Sequence, residues 1–205
     1  MRQQAILLIG PTGAGKSPLG DWLQAHGLWA RACHHFDFGA CLRQVAAGPA
    51  PDFSDEEVRY LQDVIERGAL LENETFHLAI RILEDYMSRR AVKPHDLMVM
   101  NGLPRHVGQA DAIAGHLDFL AVFHLQCDAG TVWQRLQSNS GGDRLQRTDD
   151  SREMVEHKLE VFVRRTEPLL AYYRQRGTPV VAVPVNADSQ PEDLMPMLNP
   201  SATSE

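Results

Sequence analysis

The sequence contains little cysteine, no long hydrophobic run and no excess of basic residues. Its three cysteines, Cys33, Cys41 and Cys127, are odd in number and far apart, which argues against a disulfide framework and against a zinc site. No apolar run approaches the length that spans a bilayer, and the N-terminus lacks the pattern of a secretion signal. We therefore expect a cytoplasmic protein with reduced thiols and no membrane partner.

The charge balance argues against a nucleic-acid partner. Lys and Arg together number 20 and Asp and Glu 27, so the formal net charge is −7 at pH 7. A chain with this balance does not present a broadly basic surface, although arginines can still gather in one cleft and bind the phosphates of a small ligand. We expect a small anionic partner and a monomeric protein.

Length and composition predict one domain. The chain has 205 residues, of which 43% are hydrophobic, and this is enough for one substantial core. Apolar segments alternate with longer amphipathic stretches, which is the pattern of a parallel sheet flanked by helices. We assign residues 1–199 to the domain and expect residues 200–205 to be disordered. The predicted strands are 5–9, 32–36, 97–100, 119–125 and 179–185, and the predicted helices are 17–26, 40–47, 54–67, 72–90, 108–116, 131–136 and 151–176.

Two local patterns add detail to this prediction. Ser54 and Glu57 have the spacing of a capping box at the start of a helix, and Gly68 is suited to end that helix. His34 and His35 are adjacent in a predicted strand, where neighbouring side chains point to opposite faces of the sheet. The two histidines are therefore not expected to bind one metal ion.

The first predicted strand leads into a phosphate-binding loop. Residues 10–17 read Gly-Pro-Thr-Gly-Ala-Gly-Lys-Ser, which fits the P-loop pattern with a strand before it and a helix after it. Glycines let such a loop curl so that backbone N–H groups and the helix N-terminus face phosphate oxygens. Lys16 adds positive charge for the β- and γ-phosphates, and Ser17 offers a hydroxyl ligand to Mg²⁺. The residues predicted to bind the nucleoside triphosphate are Gly10, Thr12, Gly13, Ala14, Gly15, Lys16 and Ser17.

Two segments interrupt the regular alternation of strands and helices. Residues 40–94 separate the second and third strands, and a short polar segment at 138–146 follows the fourth strand and its helix. Because parallel sheets bind ligands beyond the carboxyl ends of their strands, both segments are predicted to border the P-loop. Taken by itself, the shorter segment also fits an ordinary surface loop.

The residues at the end of the third predicted strand indicate which kind of P-loop protein this is. Residues 101–105 read Asn-Gly-Leu-Pro-Arg, and Gln109 follows four residues later. Together with the P-loop, this arrangement resembles the nucleoside monophosphate kinases of the adenylate kinase family, and the resemblance spans nearly the whole chain. Further motifs in the family's order are Gly-x-x-Leu-Arg at 39–43, Gly-Ala-Leu-Leu at 68–71, Arg-Thr-Asp-Asp at 147–150 and Thr-Glu-Pro-Leu-Leu-Ala-Tyr-Tyr at 166–173.

This resemblance implies both a fold and a reaction. The fold is a three-layer α/β/α P-loop NTPase fold with a five-stranded parallel sheet, a helical acceptor-binding insert at about 40–94 and a short lid at about 138–146. The reaction is ATP- and Mg²⁺-dependent phosphoryl transfer to a nucleoside monophosphate, which gives two diphosphates. Such a transfer needs charge neutralisation and in-line positioning rather than a side-chain nucleophile, and arginines suit that task.

The resemblance also implies roles for individual residues. Arg43 and Arg105 are assigned to the acceptor's phosphate, and Gln109 and the backbone of Leu71 to its base, whereas Arg135 is assigned to the ATP adenine. The implied catalytic residues are Lys16, Arg105, Arg144, Arg147 and Lys158. The implied acceptor-binding residues are Phe38, Gly39, Arg43, Leu71, Gly102, Arg105 and Gln109.

Several positions depart from the family's pattern, among them Asn139, which stands where the family has a further lid arginine. Asn101 stands where the family has an aspartate near the hydrated Mg²⁺, so a weak contact through water is expected there. Lys158 replaces an arginine, and Phe38 and Ala40 replace a threonine and an acid, which makes the acceptor pocket more apolar. Two alternatives therefore stay open: a phosphotransferase acting on another small metabolite, and a nucleotide-binding regulatory module with weak catalysis.

Overall fold

Five parallel strands form the centre of the protein. The computed structural model describes residues 2–138 and 152–199. The strands, in the sheet order β2-β3-β1-β4-β5, are β1 (Gln3–Ile9), β2 (Cys33–Asp37), β3 (Leu97–Asn101), β4 (Leu117–Gln126) and β5 (Val180–Pro184). The helices are α1 (Lys16–His26), α2 (Phe38–Ala47), α3 (Asp55–Glu66), α4 (Phe76–Arg89), α5 (Val107–Ile113), α6 (Ala129–Ser138), α7 (Arg152–Val161), α8 (Pro168–Gln175) and α9 (Pro191–Leu194).

The sheet separates two apolar layers. Alternate residues of the central strand β1 point to opposite faces, so that Leu7 and Ile9 join a cluster with the side chains of α2 to α5 and α8, while Ile6 and Leu8 join a cluster with those of α1 and α9. Both faces of a parallel sheet must be covered by helices, because its strands are apolar on both sides. This arrangement confirms the predicted three-layer α/β/α fold and all five predicted strands.

Local signals position the helices between β2 and β3. Ser54 and Glu57 form the predicted capping box at the start of α3, and Gly68 follows the end of that helix with φ +60°. This segment is helical, as predicted for the insert. Of the predicted lid at 138–146, only Ser138 is among the described residues, and Arg144 and Arg147 lie outside them.

The two adjacent histidines of β2 have different partners, as the alternation predicts. His34 lies 2.9 Å from Asp96, and His35 lies 2.8 Å from Asp21 on α1. Two cysteines are buried in the core, and burial raises the pKa of the Cys33 and Cys41 thiols to about 11. Among the described residues, no helix combines the length and apolar character needed to cross a membrane.

The long helix predicted over 151–176 is interrupted. Between α7 and α8 lies a π-helical segment, Phe162–Thr166. Pro168 has no N–H to donate to the carbonyl four residues before it, and its ring crowds that carbonyl. The Glu167 N–H donates instead to the Phe162 carbonyl at 2.9 Å, which is the i to i+5 bond of a π-helix. The short helix α9 after β5 was not predicted.

Candidate functional site

The P-loop curls tightly between β1 and α1. Gly13 and Gly15 have φ values of +81° and +89°, in the left-handed region that glycine tolerates best. A Cβ at Gly10 would lie 2.8 Å from the Leu125 carbonyl oxygen, so this position also requires glycine. The Lys16 ammonium donates to the carbonyls of Gly10 and Pro11, at 2.7 Å each. The loop therefore has the backbone shape that its glycines predict.

Three strand ends meet beside this loop. In the sheet register Asn101 pairs with Leu8 of β1 and with Asp37 of β2, so that the last residues of β2 and β3 are neighbours. The Ser17 hydroxyl lies 2.6 Å from Asp37 Oδ2, and the Asn101 amide nitrogen donates to both Asp37 Oδ2 at 3.0 Å and Ser17 Oγ at 3.1 Å. These three side chains form a hydrogen-bonded group at the start of α1.

Asp37 is a site residue that the sequence analysis missed. It ends β2 and also caps α2, because its Oδ1 accepts the Ala40 N–H at 2.9 Å. A signal for it was present, since a parallel strand that ends in an acid places a carboxylate at the ligand-binding edge of the sheet. The prediction instead treated Phe36 as the last residue of the strand.

The oxygen atoms of this group suit a magnesium ion. Hydroxyl, carboxylate and amide oxygens are the ligand types that Mg²⁺ prefers, and the ion keeps most of its water and binds few protein groups when it accompanies phosphates. Among the described residues, no group of three or more His, Cys, Asp and Glu side chains is arranged to hold a metal ion. Water and phosphate oxygens would have to supply the remaining ligands. Ser17 and Asp37 therefore fit an ion that arrives with a nucleotide, whereas Asn101 presents its amide nitrogen to this group.

Arg105 enters the same cleft from the other side. It follows Gly102, which has φ +80°, in the turn after β3, and its side chain is half-buried. Its guanidinium has no hydrogen bond or ion pair with any other residue in the described ranges, and burial lowers its pKa. A partly desolvated cation that has no acidic neighbour among residues 2–138 and 152–199 favours an anionic ligand, and a guanidinium can bind phosphate through two hydrogen bonds.

The backbone of Arg105 is held firmly. Gln109 Oε1 accepts its N–H at 2.7 Å, and the Thr166 hydroxyl of the π-helical segment donates to its carbonyl at 2.9 Å. Gln109 is buried, and its amide nitrogen donates to the Leu71 carbonyl at 2.7 Å. This carbonyl also accepts a hydrogen bond from His106 Nε2, at 3.1 Å. Both polar ends of Gln109 are thus used within the protein.

A cavity of about 200 Å³ connects the P-loop, the strand ends and Arg105. Ala14, which is predicted to bind the nucleotide, is fully buried and does not line it. Phe38 lines the cavity and packs near Phe36, with ring centroids 6.1 Å apart. The predicted site residues that line the cavity are Gly10, Thr12, Gly13, Gly15, Lys16, Ser17, Phe38, Gly39, Arg43, Leu71, Asn101, Gly102, Arg105, Gln109, Arg135 and Lys158.

Arg135 links the P-loop to the loop after β5. Its side chain is buried, and the guanidinium Nε donates to the Gly13 carbonyl at 3.1 Å. Its Nη1 donates to the carbonyls of Asn186, Ala187 and Ser189, at 2.8 to 3.1 Å. The predicted contact with the ATP adenine stays a prediction, and the structure adds that Arg135 holds two loops at the edge of the cleft.

Hydrogen bonds connect the segment after Leu71 to the π-helical segment, Phe162–Thr166. Arg165 forms two hydrogen bonds to the Glu72 carboxylate, at 3.0 and 2.9 Å, and this pairing lowers the pKa of Glu72. Lys158 on α7 and Phe162 in the π-helical segment line the cavity from the same side. The side of the cleft that carries Arg105 is therefore assembled from segments far apart in the sequence.

Comparisons with known proteins agree with this architecture. A family model described as an AAA domain matches residues 6–157. The adenylate kinase of Parasynechococcus marenigrum is 31% identical over 200 residues, which cover 92% of this chain and 93% of that protein. The adenylate kinase of Prochlorococcus marinus is 28% identical over 85% of this chain and 87% of its own length, and that of Nitrobacter winogradskyi is 28% identical over 84% and 81%.

Proposed function

Because this chain belongs to the adenylate kinase family of P-loop phosphotransferases, we propose that it transfers the γ-phosphoryl group of ATP to the phosphate of a nucleoside monophosphate. The observation that carries this proposal is the Arg105 guanidinium, which is half-buried, has no partner in the described ranges and lines the same cavity as the P-loop. An enzyme that transfers a phosphoryl group from one phosphorylated substrate to another needs a cation of this kind opposite its triphosphate site.

The P-loop side supports binding of the donor. Helix α1 begins at Lys16, directly after the loop, and the partial positive charge of its N-terminus favours phosphate. Lys16 now donates to two loop carbonyls, and it would exchange these bonds for phosphate oxygens without leaving the loop. When bound, Mg²⁺ would neutralise phosphate charge, with Ser17 and Asp37 as the residues placed to hold it.

The opposite side supports binding of the acceptor. Arg43 on α2 is exposed, and among the described residues its side chain has no ion-pair partner, so it is available to the acceptor's phosphate together with Arg105. Thr166 and Gln109 fix the Arg105 backbone by hydrogen bonds. Lys158 offers a point charge near the transferring group, where it provides less geometric control than an arginine. The residues of the chain thus orient the two substrates and neutralise their charge.

The test is ADP formation from Mg·ATP with AMP, CMP, UMP, GMP and TMP offered separately, beside a reaction without acceptor. We expect one or more acceptors to stimulate ADP formation strongly. In Lys16→Ala, transfer should fall about 10²–10³-fold with every acceptor, because the loop loses its phosphate-binding cation.

Arg105→Ala tests the acceptor side. Its kcat/KM for the acceptor should fall about 10²-fold, while ATP binding is retained. Arg59→Ala is the matched control, since Arg59 is an exposed arginine of α3 that does not line the cavity. Wild-type kinetics of Arg105→Ala with every acceptor would refute the assignment of the acceptor site.

A second candidate function is phosphorylation of a small metabolite other than a nucleoside monophosphate. The groups that the family resemblance assigns to the acceptor base are already used, because Gln109 and the Leu71 carbonyl bond to each other. Phe38 is buried and apolar at the same end of the cleft. An acceptor recognised through its phosphate and apolar contacts fits these observations. Stimulation by a sugar phosphate, with no response to any nucleoside monophosphate, would favour this candidate.

A further inference from the structure

We propose that Asp37 is the carboxylate that orients the magnesium ion of the bound nucleotide, and that Asn101 is a positioning residue for Asp37. This inference rests on the proposed function, because it concerns the ion that accompanies the nucleotide. It assigns a metal-orienting role to a residue at the end of β2 and removes direct metal binding from the residue at the end of β3.

The first argument is charge. Among the described residues that line the cavity, Asp37 is the single acidic one. Its Oδ2 lies 2.6 Å from the Ser17 hydroxyl, which is the P-loop group suited to ligate Mg²⁺. A serine hydroxyl that donates its proton to a carboxylate and accepts one hydrogen bond, here from Asn101, keeps one oxygen lone pair for a metal ion. Asp37 therefore both supplies negative charge and orients the Ser17 oxygen.

The second argument is the orientation of the Asn101 amide. Its nitrogen faces three acceptors: Asp37 Oδ2 at 3.0 Å, Ser17 Oγ at 3.1 Å and His35 Nε2 at 3.4 Å. His35 Nδ1 lies 2.8 Å from the Asp21 carboxylate, which only accepts, so in the neutral imidazole Nδ1 carries the proton and Nε2 is an acceptor. The surrounding groups thus turn the nitrogen of Asn101, rather than its oxygen, towards Asp37.

The third argument is the register of the sheet. Asp37 and Asn101 are paired residues of neighbouring strands, so their side chains are held together by the backbone. A carboxylate at position 101 would lie about as far from Asp37 Oδ2 as the amide nitrogen does now, and two anions at that distance repel each other. An amide at position 101 is therefore compatible with an acid at position 37, whereas an acid at position 101 would be repelled by it.

The experiment measures metal binding rather than turnover. Mn²⁺ replaces Mg²⁺ as a paramagnetic probe, and its binding to the full-length protein with a non-hydrolysable ATP analogue is titrated by electron paramagnetic resonance. We expect Asp37→Asn to weaken Mn²⁺ binding about 10-fold or more, the scale seen when groups around a metal site are removed. Asparagine still caps α2, so this variant should fold, and its circular dichroism and melting curve verify this.

Three further variants separate the proposal from a general charge effect. Asp52→Asn removes one exposed carboxylate outside the cavity and should leave Mn²⁺ affinity unchanged. Asn101→Ala should weaken Mn²⁺ binding less than Asp37→Asn. The exchange variant Asp37→Asn/Asn101→Asp returns one carboxylate to the pair and should recover most of the lost affinity, whereas Asn101→Asp alone should not improve on the wild type.

The outcomes distinguish this inference from the proposed function. Wild-type Mn²⁺ affinity in Asp37→Asn would overturn the role of Asp37, even if the protein phosphorylates a nucleoside monophosphate. A loss of affinity in Asp37→Asn with recovery in the exchange variant would support it, even if no acceptor is phosphorylated. A loss in Asn101→Ala as large as that in Asp37→Asn would overturn the assignment of Asn101 as a positioning residue.

Discussion

At the scale of single residues, the orientation of His35 depends on a glycine. The imidazole of His35 packs directly against Gly20 in the middle of α1. The backbone carbonyl of His35 accepts a 2.6 Å hydrogen bond from the Tyr86 hydroxyl. A Cβ at position 20 would overlap atoms of the ring. Since His35 also contacts Asn101, the absence of a side chain at position 20 affects the group around Asp37.

We expect Gly20→Ala to destabilise the protein by about 1–3 kcal/mol, which is the usual cost of forcing atoms into a packed core. The usual effect in a helix is opposite, because alanine is favoured over glycine by about 1 kcal/mol. The measurement is urea unfolding at pH 7. Gly115→Ala is the control, since a Cβ there meets no atom within 4 Å. A Gly20→Ala variant more stable than the wild type would contradict the packing of His35.

At the scale of elements, one aspartate connects the beginnings of three strands. Asp96 is buried and lies directly before β3. Its carboxylate accepts a hydrogen bond from the Lys93 N–H and lies 2.9 Å from His34 Nε2 in β2. Its carbonyl accepts hydrogen bonds from Gln3 in β1 and from Arg31, at 2.7 and 2.9 Å. These contacts hold the amino ends of β1, β2 and β3 together, opposite the ligand edge.

The charge of Asp96 should contribute to stability at neutral pH. Desolvation acts to raise the pKa of Asp96, but the Lys93 N–H and the His34 ring act in the other direction, and the net effect is a lowered pKa. A carboxylate with a lowered pKa in the folded state stabilises the fold at neutral pH, and this contribution is lost as pH falls below 3.8, the ordinary value of an aspartate.

Asp96→Asn should therefore lower the free energy of unfolding by about 1–3 kcal/mol at pH 7, the cost of disturbing a buried hydrogen-bonded group. The difference from the wild type should narrow as pH falls through the acid range. Urea titrations of both proteins between pH 7 and the acid limit of folding measure this. A difference that grows on acidification would show that Asp96 is uncharged in the folded protein.

At the scale of the whole molecule, both apolar layers share the same sheet. Leu7 and Leu8 are adjacent in β1, yet they belong to the layers on opposite faces of the sheet. If one layer lost its packing, the strands would be exposed on that face, and the same strands carry the side chains of the other layer. The chain should therefore unfold as one unit, as the single-domain prediction for 1–199 also requires.

We expect urea unfolding followed by far-ultraviolet circular dichroism and by tryptophan fluorescence to give coincident curves. Two of the three tryptophans, Trp22 and Trp29, pack against the layer that contains Leu8, so fluorescence reports mainly on that face. Circular dichroism reports on all helices. Two separate transitions would mean that the layers unfold independently and would contradict the single-domain assignment.

The strands, the P-loop and the family could be predicted from the order of the residues alone. These depend on local patterns: alternating apolar segments, glycines at positions that need a positive φ, and motifs such as 101–105, whose meaning does not change with the surroundings. The π-helical segment was missed, although Pro168 is visible in the sequence, because the helical pattern continues on both sides of it.

Which side chains contact one another could be read only from the folded chain. Asp37 and Asn101 are far apart in the chain and become neighbours through the register of β2 and β3, and Ser17 joins them from the start of α1. Gln109 and Leu71, predicted to face a substrate, bond to each other because α5 packs beside the segment that contains Leu71. Contacts of this kind depend on strand pairing and helix packing over long separations, which no local pattern of residues encodes.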